Sequence, residues 1–172
     1  RDFGGLQAYP SRTKDLDRVD FSTGSVGLGA VAPIFASLAE SYNQSHFQNQ
    51  QNRRFIGVIG DAELDEGNIW EAILDDVTNN LANVLLIVDL NRQSLDRVVP
   101  GIKAARLKEM FISCGWQTLE AKFGRRLQAL FDQPNGALLQ ARIDKMPNVE
   151  YQAMLRLPGV ELRPQLVGGD LA

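Results

Sequence analysis

Two side chains with oxygen donors, Asp61 and Asn91, each follow a short apolar run in the sequence. The first run, 55–59, leads directly into Gly60-Asp61, and the second, 84–88, ends shortly before Asn91. A carboxylate and an amide oxygen make a hard, oxygen-only site, which suits Mg²⁺ that holds a diphosphate. The chemistry that these residues predict is metal-assisted binding of a diphosphate group.

Both apolar runs are rich in β-branched residues, and polar residues do not alternate with apolar ones. This pattern predicts strands that are buried on both faces of a parallel sheet. The segment between them carries one apolar stripe at helical spacing. The stripe consists of Ile69, Trp70, Ile73, Leu74, Val77 and Leu81. A strand, a helix and a strand form a right-handed crossover, so both strands end at one edge of the sheet, where ligands bind. We therefore expect Asp61 and Asn91 to project from neighbouring strand ends.

A glycine-rich turn, GSVGLG at 24–29, precedes a second predicted helix. Pro33 would be tolerated only in the first turn of that helix. The predicted apolar face, which runs to about Ser45, consists of Ile34, Leu38 and Tyr42, with Phe35 alongside.

The chain after Asn91 reads as a loop, a helix at 103–113, a third strand at 116–121 and a helical tail at 125–172. Gly115 is the glycine expected to end the helix. The residues expected to point inward from the helix are Leu107, Met110 and Phe111. No repeat or linker divides the 172 residues, so we interpret 1–172 as a single domain, which we expect to be a partial one.

The pattern Gly60-Asp61-Ala62, a spacer of 63–89 and then Leu90-Asn91 closely resembles the thiamine diphosphate motif, GDG followed by NN. The segment GDAELDEGNIWEA is similar to the corresponding segment of transketolases and of the homodimeric pyruvate dehydrogenase E1 component. Two later segments resemble E1 components more than transketolases, namely NRQSLDRVVPG and LKEMFISCGW. The resemblance implies an α/β fold with a parallel sheet and helices on both faces, as in the diphosphate-binding domain of these enzymes.

The resemblance also implies the site residues. The implied Mg²⁺ ligands are Asp61, Asn91 and the backbone carbonyl of Gln93. The implied neighbours of thiamine diphosphate are Gly24, Ser25, Val26, Gly60, Asp61, Ala62, Glu63, Asn91 and Leu95. None of these residues is expected to be catalytic.

Each of these residues also has a purely structural interpretation. Asp61 could cap the following helix and Asn91 could turn the chain. Glu63 could orient its neighbours beside the diphosphate, or it could be a solvated acid in the first turn of a helix. Ala62 stands where the motif has glycine; alanine keeps the amide, but a positive φ there would cost about 1–2 kcal/mol.

Composition and charge narrow the function classes. The net charge of −3 and the pI near 5.2 argue against a nucleic-acid partner. A single cysteine fits a reducing compartment, so we expect a cytoplasmic protein. The uncharged stretch 21–39 contains glycines, serines and a proline, and we interpret it as a loop and a helix rather than a membrane span.

The parent activity that the resemblance implies is oxidative decarboxylation of a 2-oxo acid by an E1-like enzyme. The alternatives are a subunit for transketolase-type ketol transfer and a stand-alone module that keeps the fold without catalysis. In the family, the essential glutamate lies in a second, pyrimidine-binding domain that a partner subunit supplies. We therefore expect the 172 residues to be inactive alone and to form a homo-oligomer through the low-charge segment 21–39 and the turn at 66–70.

Overall fold

The computed structural model describes residues 9, 11–14, 19–47, 51–91, 93–94, 97–98 and 103–167. The chain divides into two compact units. The first unit comprises Arg1–Asn91 with Ser113–Trp116, and the second comprises Arg92–Ile112 with Gln117–Ala172. The sequence predicted one domain, and each unit is described separately below.

The first unit is organised around two parallel strands, β1 (Phe55–Gly60) and β2 (Val84–Asp89). Phe55 pairs with Val84 at one end of the ladder, and Gly60 pairs with Asp89 at the other. The α/β class and both predicted strands are confirmed. Because the strands are parallel and in this register, their carboxyl ends lie side by side.

Helix α1 (Leu28–Phe47) packs against β1, and its buried stripe contains both apolar and polar residues. The buried positions are Ala30, Pro33, Ile34, Ser37 and Glu40. Ile34 was predicted correctly, but Phe35 and Tyr42 are exposed, and Pro33 lies beyond the first turn. Leu38 is half-buried, so the predicted face is partly right. It misses Ser37 and Glu40 because apolarity alone does not reveal a buried serine or glutamate.

Gly57 explains how α1 approaches β1 so closely. A Cβ atom at Gly57 would lie 3.1 Å from Cγ of Pro33 and 3.0 Å from Cδ2 of Leu86. These distances are tighter than ordinary van der Waals contact. Glycine in β1 and proline in α1 therefore fit each other, and the ring of Pro33 fills the space above the strand.

A short 3-10 helix (Asp61–Asp65) and then α2 (Gly67–Leu74) connect β1 to β2. Ile69 and Ile73 are fully buried, as predicted, but Val77 and Leu81 lie beyond the helix. Thr78 Oγ1 lies 2.8 Å from the carbonyl oxygens of both Ala72 and Asp75, and its one O–H donates to these two acceptors. The helix ends earlier than its apolar pattern suggests because a buried threonine satisfies carbonyls in and just after its last turn.

The face of the sheet away from α1 differs from the prediction of strands buried on both faces. Ile56 and Val58 are 60% and 71% exposed, and Leu85 and Ile87 on β2 are 51% and 46% exposed. Ile56 pairs with Leu85 and Val58 with Ile87, so the four side chains form one patch. The described residues cover only one face of this sheet.

The second unit is mainly helical. A small antiparallel hairpin joins β3 (Gln93–Ser94) to β4 (Arg97–Val98). The helices are α3 (Ala104–Ser113), α4 (Arg125–Phe131), α5 (Gly136–Lys145), α6 (Asn148–Met154) and α7 (Gly159–Val167).

The predictions for this part of the chain hold in the helices and fail in the strand. Gly115 has a φ of +83°, as expected of a helix-ending glycine, and the predicted helical tail is confirmed up to Val167. Phe111 is buried and Leu107 half-buried, whereas Met110 is 36% exposed. The predicted third strand at 116–121 is wrong: the segment has no regular secondary structure, it pairs with no strand of the described chain, and Leu119 is 99% exposed.

No helix in the described part of the chain combines the length and apolar character needed to cross a bilayer.

Candidate functional site

The carboxyl edge of the β1–β2 sheet brings the two predicted metal-binding residues to neighbouring strand ends. Asp61 follows Gly60 directly, and Asn91 comes two residues after Asp89, the partner of Gly60 in the ladder. Asp61 is half-buried and Asn91 is exposed. Their carboxylate and amide oxygens are donors of the kind that Mg²⁺ prefers, so the residues present at this edge fit the implied ion.

Ala62 lies within the 3-10 helix that begins at Asp61. Among the described non-glycine residues, the positive φ belongs to Asn135 alone. The alanine therefore carries no left-handed backbone strain, and its amide remains where the motif has that of glycine. The departure from the motif costs nothing in backbone conformation here.

The glycine turn, defined as residues 24–29, is held by a hydrogen bond within the turn and leads into α1. Leu28 N–H donates to the Ser25 carbonyl at 3.2 Å, and the Gly27 carbonyl accepts from Ala30 and Val31. Gly24 and Ser25 are exposed, as is Val26, whose side chain has 57% of its surface free. These predicted cofactor neighbours are accessible in the described chain.

Gly27 occupies a position that other residues fill poorly. Its φ is +89°, and a Cβ atom there would lie 2.4 Å from Oδ1 of Asn68. Asn68 is on α2, so the glycine turn is packed against the element that follows the Asp61 segment. Sequence reasoning did not single out Asn68, because an isolated asparagine on a helix carries no pattern.

Glu63 connects the glycine turn to the end of β1. Its Oε1 accepts the N–H of Gly60 at 3.3 Å, and its Oε2 accepts the N–H of Gly27 at 3.4 Å. The carboxylate is half-buried and accepts two backbone N–H groups, so it is not a freely solvated acid, and its role beside a diphosphate stays a prediction.

The remaining predicted residues lie at or beyond the limits of the described structure. Gln93 belongs to β3 in the second unit and is described by its backbone only. Leu95 lies outside the described residues.

Comparisons with known proteins point to the same group of enzymes. A sequence model of the family described as 1-deoxy-D-xylulose-5-phosphate synthase matches residues 1–156. The chain is 26% identical to the pyruvate dehydrogenase E1 component of Corynebacterium glutamicum over 99% of its length. Identity is 29% over 97% of the chain for the Pseudomonas aeruginosa E1 component, and 26% over 95% for that of Buchnera aphidicola. The chain spans 19% of the length of each of these three relatives.

Proposed function

The chain belongs to the thiamine diphosphate-dependent family described as 1-deoxy-D-xylulose-5-phosphate synthase, and from that membership we propose that it binds Mg²⁺ and thiamine diphosphate as part of a pyruvate dehydrogenase E1-like enzyme. The observation that carries the proposal is the placement of Asp61 and Asn91 after paired strand ends, Gly60 and Asp89. Open α/β sheets bind ligands at this edge.

The proposed roles follow from the donor chemistry. Asp61 and Asn91 hold Mg²⁺ through side-chain oxygens, and the family resemblance implies the Gln93 carbonyl as a further ligand. The amide of Ala62 faces the diphosphate end, and Glu63 lies beside it with the Gly60 amide bonded to its carboxylate. The exposed turn at Gly24, Ser25 and Val26 forms the wall towards the thiazolium, with Leu95 as an apolar neighbour. When bound, the cofactor supplies the carbanion and the electron sink for decarboxylating a 2-oxo acid.

The E1-like activity is preferred over transketolase-type ketol transfer for two reasons. The three relatives described above all carry the name of the E1 component. The segment from Asn91 to Trp116 also resembles the E1 side of the group. The stand-alone module without catalysis remains the competing hypothesis, and it predicts the fold without cofactor affinity.

The proposed partner is a pyrimidine-binding domain, supplied by a second subunit in the cytoplasm. The relatives are several times longer than this chain, which is consistent with further domains in the working enzyme. We also propose self-association through the segment 21–39, whose exposed apolar side chains support a contact. These are Phe21, Val26, Leu28 and Phe35, each 46–57% exposed. Sedimentation equilibrium tests this association, and a strict monomer at the highest concentration rejects it.

Isothermal titration calorimetry with thiamine diphosphate, with and without Mg²⁺, tests the binding proposal. The wild-type chain should show a magnesium-dependent signal, and Asp61→Ala should lose it because the carboxylate is a metal ligand. The matched control is Asp76→Ala, which removes the same charge from an exposed position of the loop before β2. Equal binding by wild type and Asp61→Ala would remove Asp61 from the site, and no binding by wild type would favour the non-catalytic module.

A further inference from the structure

Glu63 is the third residue of the 3-10 helix, and part of its bonding is ordinary helix capping. Its Oε1 accepts the N–H of Gly60, the residue just before that helix, at 3.3 Å. This is the return half of a capping box, in which an acid at the third position satisfies the amide of the capping residue. Capping of this kind uses one carboxylate oxygen.

The second oxygen of Glu63 does something that capping does not require. Oε2 accepts the N–H of Gly27, which lies 36 residues earlier in the chain. The same atom is 3.7 Å from the point where a Cβ on Gly29 would stand, so it is in contact distance of the glycine turn. One carboxylate thus joins two segments that are far apart in sequence.

Neither of the two amides has another hydrogen-bond acceptor in the described structure. Phe55 N–H donates to the Asn83 carbonyl at 2.8 Å, and alternate residues of a parallel strand face the same neighbour. Gly60 is five residues further along, so its N–H points away from β2 and towards Glu63. The Gly27 carbonyl is engaged with α1, while its N–H goes to Glu63.

We propose that Glu63 is a positioning residue that fixes the glycine turn relative to the Asp61 segment by accepting one backbone N–H from each. A carboxylate suits this role because both of its oxygens accept hydrogen bonds, and bonds to a charged acceptor are the stronger kind. A glutamine would present one acceptor and one NH₂ group, and the latter cannot accept an N–H. An aspartate is one methylene shorter.

The consequence for ligand binding rests on the proposed function. The glycine turn and the Asp61 segment carry the proposed neighbours of thiamine diphosphate, and Glu63 sets their separation without belonging to the metal ligands. Holding both segments in place before the ligand arrives lowers the entropic cost of binding. Loss of the link should weaken affinity through misplacement of the glycine turn.

Amide hydrogen exchange of the cofactor-free chain, resolved at Gly27 and Gly60 by NMR, tests the link directly. The wild type should protect both amides, and Glu63→Gln should speed exchange at one or both by about tenfold or more, the size expected for one hydrogen bond to a charged group. Glu71→Gln, on the exposed face of α2, is the matched control and should leave both rates unchanged. If Glu63→Gln does not fold, Glu63→Asp carries the same expectation, because its shorter side chain cannot reach both amides.

Two results would overturn the proposal. One is an unprotected Gly27 amide in the folded wild type, and the other is exchange in a folded Glu63 variant that matches wild type at both glycines. Calorimetry then separates a positioning role from an effect on stability alone. Glu63→Gln should bind thiamine diphosphate with Mg²⁺ about tenfold more weakly than wild type. A variant at Glu40, a purely structural glutamate, should bind with the affinity of wild type. If the wild type itself shows no such binding, the proposed function fails, and the exchange rates alone decide the role of Glu63.

Discussion

A glutamate lies at each end of the β1–β2 sheet, and each one connects the α1 segment to the segment that contains β1. The two glutamates make this connection with different kinds of partner. At the amino end, Glu40 is 3% exposed and pairs with Arg53, whose Nη1 lies 3.4 Å from Oε2. At the carboxyl end, Glu63 accepts two backbone N–H groups from glycines. No lysine or arginine in the described residues forms an ion pair with Glu63.

The surroundings of the two glutamates extend the contrast. At the amino end, Asn83 accepts a hydrogen bond from Ser37 and donates one to the Arg53 carbonyl, so side chains hold α1 and both strands together. At the carboxyl end, the partners are two backbone amides, that of Gly27 in the glycine turn and that of Gly60 at the end of β1. Side-chain pairing makes a closed, structural end, whereas backbone donors leave room for a ligand to approach. This contrast supports the proposal that the carboxyl end binds the cofactor while the amino end stabilises the unit.

Arg53→Met should produce the largest effect and should separate the two ends. Removing one partner of a buried ion pair costs about 3–5 kcal/mol, and the half-exposed Arg53 reduces our expectation to about 2–3 kcal/mol of unfolding free energy. The loss is large because Glu40 Oε1 is already buried without a hydrogen-bond partner among the described residues. Urea denaturation measures it.

Glu40→Gln is the companion variant and should cost only about 1 kcal/mol, because it removes the buried charge together with the need for a cation. Magnesium-dependent cofactor binding by folded Arg53→Met should equal that of wild type. A large loss of affinity at unchanged stability would contradict the division of roles between the two ends.

Gly27→Ala should have the next largest effect and should act on the carboxyl end. The φ of +89° costs a residue with a Cβ about 1–2 kcal/mol, and the new atom would press on the Asn68 amide. We expect a fall in unfolding free energy of that size together with weaker cofactor binding, because the Gly27 amide moves away from Glu63.

Gly67→Ala provides the control for this substitution. A Cβ atom at Gly67 meets nothing within 4 Å, and this residue begins α2. The unfolding free energy of the Gly67→Ala variant should equal that of wild type or exceed it by up to about 1 kcal/mol. If Gly27→Ala behaved like Gly67→Ala, the glycine turn would not need its left-handed residue.

The smallest expected effect concerns an ion pair in the second unit and sharpens the contrast between buried and exposed pairing. Arg142 and Glu150 are paired, and Nη1 of Arg142 lies 3.3 Å from Oε2. The hydrogen bond from Arg142 lowers the pKa of Glu150. The pair therefore adds stability above the unfolded pKa of about 4.3 and loses it as pH falls through the lower folded value.

Both side chains of this pair are about one-third exposed, so its contribution should stay below about 1 kcal/mol. Denaturation of wild type and Glu150→Gln at pH 7 and near pH 3 checks this prediction. The difference between the two proteins should be present at pH 7 and should shrink in acid. A constant difference across that range would exclude the ionised pair as its cause.

The sequence alone determined the features that depend on local pattern. The bounds of β1 and β2, the helix-ending Gly115 and the helical tail all follow from apolar runs and chain-turning residues. The placement of Asp61 and Asn91 at one edge followed as well, because a strand–helix–strand unit leaves both strands pointing the same way. These features can be predicted without knowing which elements pack against each other.

The tertiary structure decided the features that depend on contacts between distant segments. The buried face of α1 was hidden because Ser37 and Glu40 become core residues only where Asn83 and Arg53 meet them. The end of α2 depends on Thr78, whose hydroxyl competes for carbonyls that an apolar stripe cannot reveal. The link from Glu63 to Gly27 spans 36 residues, and no local pattern encodes a hydrogen bond over that distance.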